Sequence, residues 1–547
     1  MIPMIHKKLI IILLATAIYQ VESLSCTNFI ISKGATTDGS TMITYVADSH
    51  VLYGELYLKP ATDYPAGTFF DIYEWDTGKY LGKIKQASHT YSVVGNMNEH
   101  QVAIGETTYT GREELQDTTA ILDYGSLMYI ALQRSRTARD AVKIMDALVS
   151  EYGYCSTGES FSISDANEVW IMEIIGKGPG NKGAVWVARR IPDGYISGHA
   201  NQARITAFPL DDSLNCLYSK DVISFAKEKG YYEGEDKNFS FADAFCPLNF
   251  TGARICDARV WSAFRRVADG MDKYTDYAMG KNLNNRLPLW VKPREKLTVN
   301  NVMELMRDYF QDTPMDMTRD FGAGPYQCIV RWRPLFWEID STSYFNERAT
   351  STQQTGFSFI AQSRSWLPDP VGGILWFGVD DTYSTVYSPM YCGITKVPES
   401  FAEGNGSMMD FSDDAAFWVF NQVSNFAYTK YSYMIPEIRL KQKELETSYI
   451  LKCAEIDKAA AELYKEGSNL ALAYLTDFSA ETGNSTVKEW KKLYRYLFTK
   501  YMDGNIKVKA GGQKNPGLEQ PGYSEDWYRI LIRETGDKFK SPEESHH

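Results

Sequence analysis

Histidine is scarce in this sequence, and several common signatures of hydrolytic and nucleotide-binding sites are absent. The 547 residues include 7 histidines, and those away from the two ends are His50, His89, His100 and His199. No HExxH, GxSxG or GxxxxGK[ST] pattern occurs, so nothing indicates a zincin, a nucleophile elbow or a phosphate-binding loop. No motif indicates a Ser-His-Asp triad either.

Blocks of basic residues and paired cysteine motifs are also missing. The net charge is −12, and without a basic block we expect neither nucleic-acid binding nor binding to anionic membranes. The 8 cysteines are scattered and include no CxxC pair, which argues against a zinc ribbon or a thioredoxin-like motif. A local disulfide between Cys246 and Cys256 stays open, and most cysteines are expected to be small buried hydrophobes.

A hydrophobic leader precedes the first cysteine. Two lysines are followed by an apolar run over residues 9–18 that is short for a bilayer span, and Ser23 and Ser25 place small residues before Cys26. This layout predicts a signal peptide over residues 1–25 and export to the periplasm or the extracellular space. An uncleaved membrane anchor is the alternative. No later stretch is apolar and long enough to predict a membrane span.

Hydrophobic periodicity predicts strands, then two helices, then strands again in the first 200 residues. The segments CTNFIIS and TMITYVAD are typical of strands, whereas residues 124–134 and 138–152 have helical periodicity. The segment SFSISDANEVWIMEII predicts two strands joined by a turn at Asp165. This order indicates sheets covered by helices.

The remainder of the chain is irregular and aromatic-rich, and then mainly helical from about residue 415 to residue 501. No repeat and no low-complexity linker divides it. We therefore expect one large unit: a catalytic core over residues 26–410, a helical portion over residues 411–503 packed on that core, and a polar tail over residues 504–547.

Cys26 stands at the predicted cleavage site, where its chemistry changes. A thiol has an ordinary pKa of about 8.5 and needs a base to act as a nucleophile at neutral pH. Cleavage before Cys26 creates an α-amine with a pKa of about 8 on the same residue, so that one residue supplies nucleophile and base. Two other roles remain open: a lipid anchor, although Ser23 stands where leucine is expected, and a structural or disulfide cysteine.

Six segments carry a family resemblance, in order along the chain: residues 26–50, 96–108, 159–176, 194–205, 347–381 and 415–439. They resemble the cysteine dipeptidases of the N-terminal nucleophile hydrolase superfamily, relatives of choloylglycine hydrolase, penicillin V acylase and the secernins. The resemblance implies an α+β fold, a four-layer αββα sandwich with a helical C-terminal portion. It also implies hydrolysis through an acyl-enzyme on the N-terminal cysteine, dipeptide substrates, and no cofactor or metal. A homo-oligomer is left open.

The resemblance assigns roles to three residues. Cys26 matches the nucleophile, and Asp48 matches an aspartate that helps to hold the amine and thiol of that cysteine. A buried carboxylate beside an ammonium raises the pKa of the amine, which suits a base. Asn201 matches an asparagine whose amide donates to the oxyanion. Asp48 as a plain turn residue and Asn201 as a structural residue are the alternatives.

The sequence departs from the family pattern at two places. Many relatives have arginine where Tyr45 stands, and the candidates to replace it are Arg204, Arg254 and Arg259, with Arg259 preferred. The acylases have an asparagine near Thr107, where this chain has Glu106 and Thr107. We expect Glu106 to bind a substrate ammonium, Arg259 to bind a substrate carboxylate and Thr107 to line the substrate site. A solvated or strand-end glutamate is the alternative for Glu106.

His50 and His199 flank the candidate catalytic residues, but two histidines without a matching carboxylate pattern do not predict a metal site. A general-base role for either histidine is the lesser alternative.

These expectations favour a secreted cysteine dipeptidase. An amidase or acylase of the choloylglycine hydrolase type is the first alternative, and a non-catalytic surface protein acylated at Cys26 is the second. The dipeptidase is preferred because the choloylglycine hydrolases are much shorter and lack the helical C-terminal portion.

Overall fold

A computed structural model describes residues 26–509, 511–512 and 514–541. The predicted signal peptide at residues 1–25 lies outside the described residues. The described chain is a mixed α and β structure with several sheets and a helical C-terminal part, in agreement with the predicted α+β class.

Within the described residues, seven strands form an antiparallel sheet that contains the N-terminal strand. In spatial order they are β16 (Trp290–Val291), β14 (Ile196–His199), β1 (Asn28–Ile31), β2 (Thr41–Asp48), β19 (Thr355–Ser363), β20 (Ile374–Val379) and β21 (Ser388–Tyr391). Every residue of β2 is buried, because both faces of this central strand are covered. This explains why its sequence has no polar face.

A second antiparallel sheet of eight strands is found in the same part of the chain. In spatial order they are β15 (Cys216–Tyr218), β13 (Ala184–Arg190), β12 (Val169–Gly176), β11 (Gly158–Ser164), β10 (Ala103–Tyr109), β9 (Met97–Asn98), β8 (Val93–Val94) and β3 (Leu58–Lys59). The predicted pair of strands around Asp165 is confirmed as β11 and β12.

The two sheets lie against each other through β1 and β2 on one side and β10, β11 and β12 on the other. Gly105 of β10 makes this approach possible: a Cβ atom there would lie 2.9 Å from Asn28 Nδ2 and 3.0 Å from Tyr45 Cβ. The close contact brings the first residues of β1 beside the middle of β10.

Twelve helices belong to the described residues. They are α1 (Tyr124–Arg134), α2 (Ala138–Tyr152), α3 (Val222–Glu228), α4 (Phe241–Phe245), α5 (Ala258–Val267), α6 (Thr275–Ala278), α7 (Val299–Met306), α8 (Asp369–Gly372), α9 (Ala416–Ala427), α10 (Tyr431–Glu466), α11 (Ser468–Tyr501) and α12 (Glu525–Thr535). A short π-helix at Gly252–Asp257 leads into α5.

Helices cover the outer faces of both sheets. Helices α1 and α2 pack their apolar sides on β10 to β13, in a core that includes Leu127, Met145 and Trp170. On the other side, α9 packs on β20, and α10 and α11 pack on β21. The two long helices α10 and α11 also pack against each other. No helix of the described residues has an apolar stretch that would let it cross a bilayer.

Four short hairpins or ribbons complete the described strands. They pair β4 (Thr62–Asp63) with β7 (His89–Thr90), β5 (Phe69–Tyr73) with β6 (Tyr80–Lys85), β17 (Phe336–Ile339) with β18 (Thr342–Phe345), and β22 (Ile506–Val508) with β23 (Gly517–Glu519).

All eight cysteines, which lie within the described residues, are free thiols. The local disulfide left open between Cys246 and Cys256 is not formed. Gln202 Nε2 donates to Cys246 Sγ at 3.2 Å, whereas Cys256 lies in the π-helix. As expected, seven of the eight cysteines are buried.

Candidate active site

Cys26 lies at the start of the first sheet, just before β1. Thr27 bridges to Val46 of β2, which fixes the position of the cysteine beside that strand. Its side chain is 2% exposed, and Sγ lies 3.9 Å from Tyr45 Oη and 3.8 Å from Glu106 Oε1. Burial, followed by the charges of Glu106 and Asp48, raises the pKa of the thiol well above its ordinary value. In this environment the thiol keeps its proton until a base removes it.

Tyr45 and Glu106 join the two sheets directly beside the thiol. Tyr45 Oη, from β2, donates a hydrogen bond to Glu106 Oε1, from β10. At the place where the resemblance predicts arginine, Tyr45 contributes a neutral donor instead of a positive charge. The Glu106 carboxyl therefore receives no counter-charge from this position.

Glu106 forms a buried carboxyl pair with Glu159 of β11. Burial raises the pKa of Glu106 to about 7, and burial together with the charge of Glu106 raises the pKa of Glu159 well above its ordinary value. Thr108 Oγ1 donates to Glu159 Oε1 at 2.6 Å. The Oε2 atoms of both residues have no other donor among the described residues. A proton between the two carboxyl groups would satisfy both oxygens.

Asp48 is the last residue of β2 and forms an ion pair with Arg348, which lies 300 residues later in the sequence. Its carboxylate accepts from Arg348 Nη2 at 2.5 Å and from Thr355 Oγ1 at 2.6 Å. Burial raises the pKa of Asp48, and the Arg348 charge opposes that shift. The backbone of Asp48 also makes a hydrogen bond that favours the thiolate of Cys26. Asp48 therefore lies beside the nucleophile candidate.

Arg259, from α5, is fully buried beneath Cys26. Its N–H groups donate at distances between 2.7 and 3.2 Å to five oxygens, those of Ile255 O, Cys26 O, Thr27 Oγ1, Ala200 O and Asn201 Oδ1. Burial, followed by the Arg348 charge, lowers the pKa of Arg259 to about 10. A substrate carboxylate would have to displace one of these partners, so the contacts fit a residue that positions Cys26 and Asn201.

Asn201 follows β14 and has a left-handed backbone with φ of 60°, which asparagine tolerates better than most residues. Its Oδ1 accepts from Arg259 Nη2 at 2.8 Å, and its Nδ2 donates to Thr108 O at 2.6 Å. These two partners fix which end of the amide is the donor. The structure therefore brings Asn201 to the same site as Cys26 through Arg259.

Thr107 and His199 form a separate polar contact between the sheets. Thr107 Oγ1 lies 2.7 Å from His199 Nδ1, and Ser162 Oγ lies 2.7 Å from His199 Nε2. Burial, followed by the Arg204 charge, lowers the pKa of His199 to about 3. A neutral histidine with both ring nitrogens occupied fits a structural role. His50 instead contacts Arg333, and no cluster of three metal-ligating side chains occurs among residues with described positions.

The other two arginines considered in place of Tyr45 have carboxylate partners of their own. Arg204 Nε lies 3.4 Å from Asp257, and Arg254 pairs with Glu347. The arginine on Asp48, Arg348, was missed by sequence reasoning. It lies 300 residues from its partner, within a segment that carries the family resemblance but with no local motif around it.

Comparison with known proteins identifies the family. The model of peptidase family C69 matches residues 25–444. A "Probable dipeptidase" of Latilactobacillus sakei is 24% identical over 477 residues, 84% of this chain and 91% of that protein. "Dipeptidase A" of Lactobacillus helveticus is 25% identical over 83% of this chain and 90% of that protein. A "Probable dipeptidase" of Salmonella dublin is 22% identical over 68% and 82%. The resemblance found in the sequence is confirmed, and the chain belongs to peptidase family C69.

Proposed function

We propose that this protein is a secreted dipeptidase in which Cys26, as the first residue of the mature chain, attacks the peptide bond. The observation that carries the proposal is the position of Cys26, a buried thiol between Glu106 and the Asp48–Arg348 pair, in a chain whose relatives are named dipeptidases. The layers of helix, sheet, sheet and helix support the αββα sandwich of N-terminal nucleophile hydrolases as its fold.

In the proposed reaction, the α-amine of Cys26 takes the thiol proton and sulfur bonds to the carbonyl carbon of the dipeptide. Asn201 Nδ2 donates to the oxyanion, while Arg259 holds the carbonyl of Cys26 and the amide of Asn201 in place. The ammonium then gives its proton to the leaving amine as the C–N bond breaks. This leaves a thioester on Cys26, which water hydrolyses with the amine again acting as base.

Asp48 supports this role of the amine electrostatically. A carboxylate close to the new N-terminus favours the ammonium form and therefore raises its basicity. Arg348 limits the effect, because it neutralises part of the Asp48 charge. The balance between these two residues sets how readily the amine accepts and returns the thiol proton.

The proposal is tested by replacing Cys26 and by varying the substrate ends. Cys26→Ala is expected to abolish dipeptide hydrolysis, and chelators are expected to leave the wild-type rate unchanged. Cys216→Ala is the matched control, because Cys216 is also 2% exposed and a free thiol. A Cys26→Ala protein that hydrolyses dipeptides at the normal rate refutes the proposal. N-acetylated dipeptides cleaved as fast as free ones favour the acylase instead.

A further inference from the structure

Arg333 is a half-buried arginine without a carboxylate partner near the candidate site. Its Nε and Nη2 both donate to Gln354 Oε1, Nε at 3.0 Å, and Nε lies 3.4 Å from His50 Nε2. In the described part of the chain no carboxylate lies within ion-pair distance of its guanidinium. Nearby arginines differ: Arg331 pairs with Asp320 and Arg348 pairs with Asp48.

Positive charges outnumber negative charges around Arg333. Burial, followed by the Arg348 charge, lowers the pKa of Arg333 to about 10, and the Arg259 charge acts in the same direction. Asp48 is the anion that opposes these effects, but it is already shared with Arg348. An additional anion beside Arg333 would relieve this repulsion.

A small cavity lies beside Arg333. It is lined by Arg331, Arg333 and Arg348, together with polar residues that include Ser351 and Thr352. Glu347, the carboxylate at this cavity, pairs with Arg254. Ser351 Oγ donates to Asp381 and Thr352 Oγ1 donates to Gln353, so a carboxylate in this cavity would be recognised by the guanidinium of Arg333.

The cavity is connected to the nucleophile by two contacts. Arg348, in the wall of the cavity, forms an ion pair with Asp48. The backbone of Asp48 in turn makes a hydrogen bond with the thiol of Cys26. In a dipeptide, the C-terminal carboxylate lies one residue beyond the bond that is cleaved. An anion site close to the nucleophile therefore matches the position of the C-terminal carboxylate in a bound dipeptide.

We infer that Arg333 binds the C-terminal carboxylate of the substrate, so that this side chain selects dipeptides over longer or amidated peptides. The inference rests on the proposed dipeptidase function and deepens it. It assigns to Arg333 the role that the sequence suggested for Arg259, whose N–H groups are occupied by the protein. A guanidinium can offer a carboxylate a fork of N–H donors, which the ammonium of a lysine reproduces only in part.

The test compares one dipeptide with its C-terminal amide in wild-type protein and in Arg333→Met. We expect the substitution to lower kcat/KM for the free dipeptide by at least about 30-fold and to change that of the amide by less than about 3-fold. Arg333→Lys should retain an intermediate preference. Arg319→Met is the control, since Arg319 is 71% exposed and pairs with Asp316, and it should leave both substrates unchanged.

Two results overturn the inference: an equal loss for the free and amidated forms, or no loss for either. The second would show that the arginine is not used, and the first that it is only structural. A separate measurement distinguishes this failure from failure of the proposed nucleophile. Calorimetry on Cys26→Ala protein should show tighter binding of the free dipeptide than of the amide, and adding Arg333→Met should remove that preference. No preference in Cys26→Ala protein contradicts the carboxylate site, whatever the outcome for catalysis.

Discussion

The ion pair between Asp48 and Arg348 is the contact whose removal should cost the candidate site most. The two side chains are 0% and 1% exposed, and Asp48 also accepts from Thr355 Oγ1 at 2.6 Å. Asp48→Asn keeps the shape and removes the charge, so it leaves Arg348 buried without its anion. Removing one partner of a buried pair costs about 3–5 kcal/mol. We expect a value near the lower limit, because burial already opposes the ionised form of Asp48.

Urea unfolding of single and double variants measures this cost. Asp48→Asn should reduce the free energy of unfolding by about 3 kcal/mol, and Asp48→Asn with Arg348→Met should recover a large part of it, because no charge is then left unpaired. Thr355→Val controls for the loss of the hydroxyl bond alone and should cost about 1 kcal/mol. A change below about 1 kcal/mol in Asp48→Asn, or a double variant no more stable than the single one, would refute this reasoning.

Two further predictions concern Glu106 and the mature N-terminus. The pKa of Glu106 is about 7 in the native state and about 4.3 in the unfolded state, so the native state binds the proton more tightly. The protonated Glu106 therefore stabilises the fold fully below about pH 4.3, and this contribution is lost as the pH rises towards 7. The difference in unfolding free energy between wild type and Glu106→Gln should therefore change by up to about 1.4 kcal/mol per pH unit in this window, and a constant difference from pH 4 to 8 would contradict it. Intact-mass and N-terminal analysis should show a mature chain that begins at Cys26 with a free amine, and a diacylglyceryl adduct would support the lipid-anchor alternative instead.

The elements that the sequence predicts well are those with strong local signals. Helices α1 and α2 have the predicted bounds, because each apolar period is preceded by a capping residue. Asp123 accepts from Ser126 N and Thr137 accepts from Asp140 N, which ends the preceding segment sharply. The strand pair β11 and β12 is likewise set by the turn at Asp165, whose Oδ1 accepts from Asn167 N at 2.7 Å.

The contacts that define the site could not be predicted in this way. Arg333 and Arg348 lie close to Asp48 although they are about 300 residues away along the sequence. Glu159 lies close to Glu106 because β10 pairs with β11. Only the pairing of distant segments shows that these charges meet. Arg259, the preferred replacement for the arginine absent at Tyr45, donates to the backbone carbonyl of Cys26. The sequence carried no signal that its donors would all be used by the protein.

The distribution of charge around Cys26 suggests how such a site would select its substrate. On one side of the thiol, Glu106 and Glu159 form a buried pair of carboxyl groups. On the other side, the two positive charges of Arg333 and Arg348 face the single negative charge of Asp48. A dipeptide with free ends presents an ammonium and a carboxylate with the scissile bond between them, which matches this polarity. Blocking either end would leave a buried charge without a partner, a cost of several kcal/mol. Because each end is opposed by a charge on a different sheet or loop, the two losses should be nearly additive when both ends are blocked.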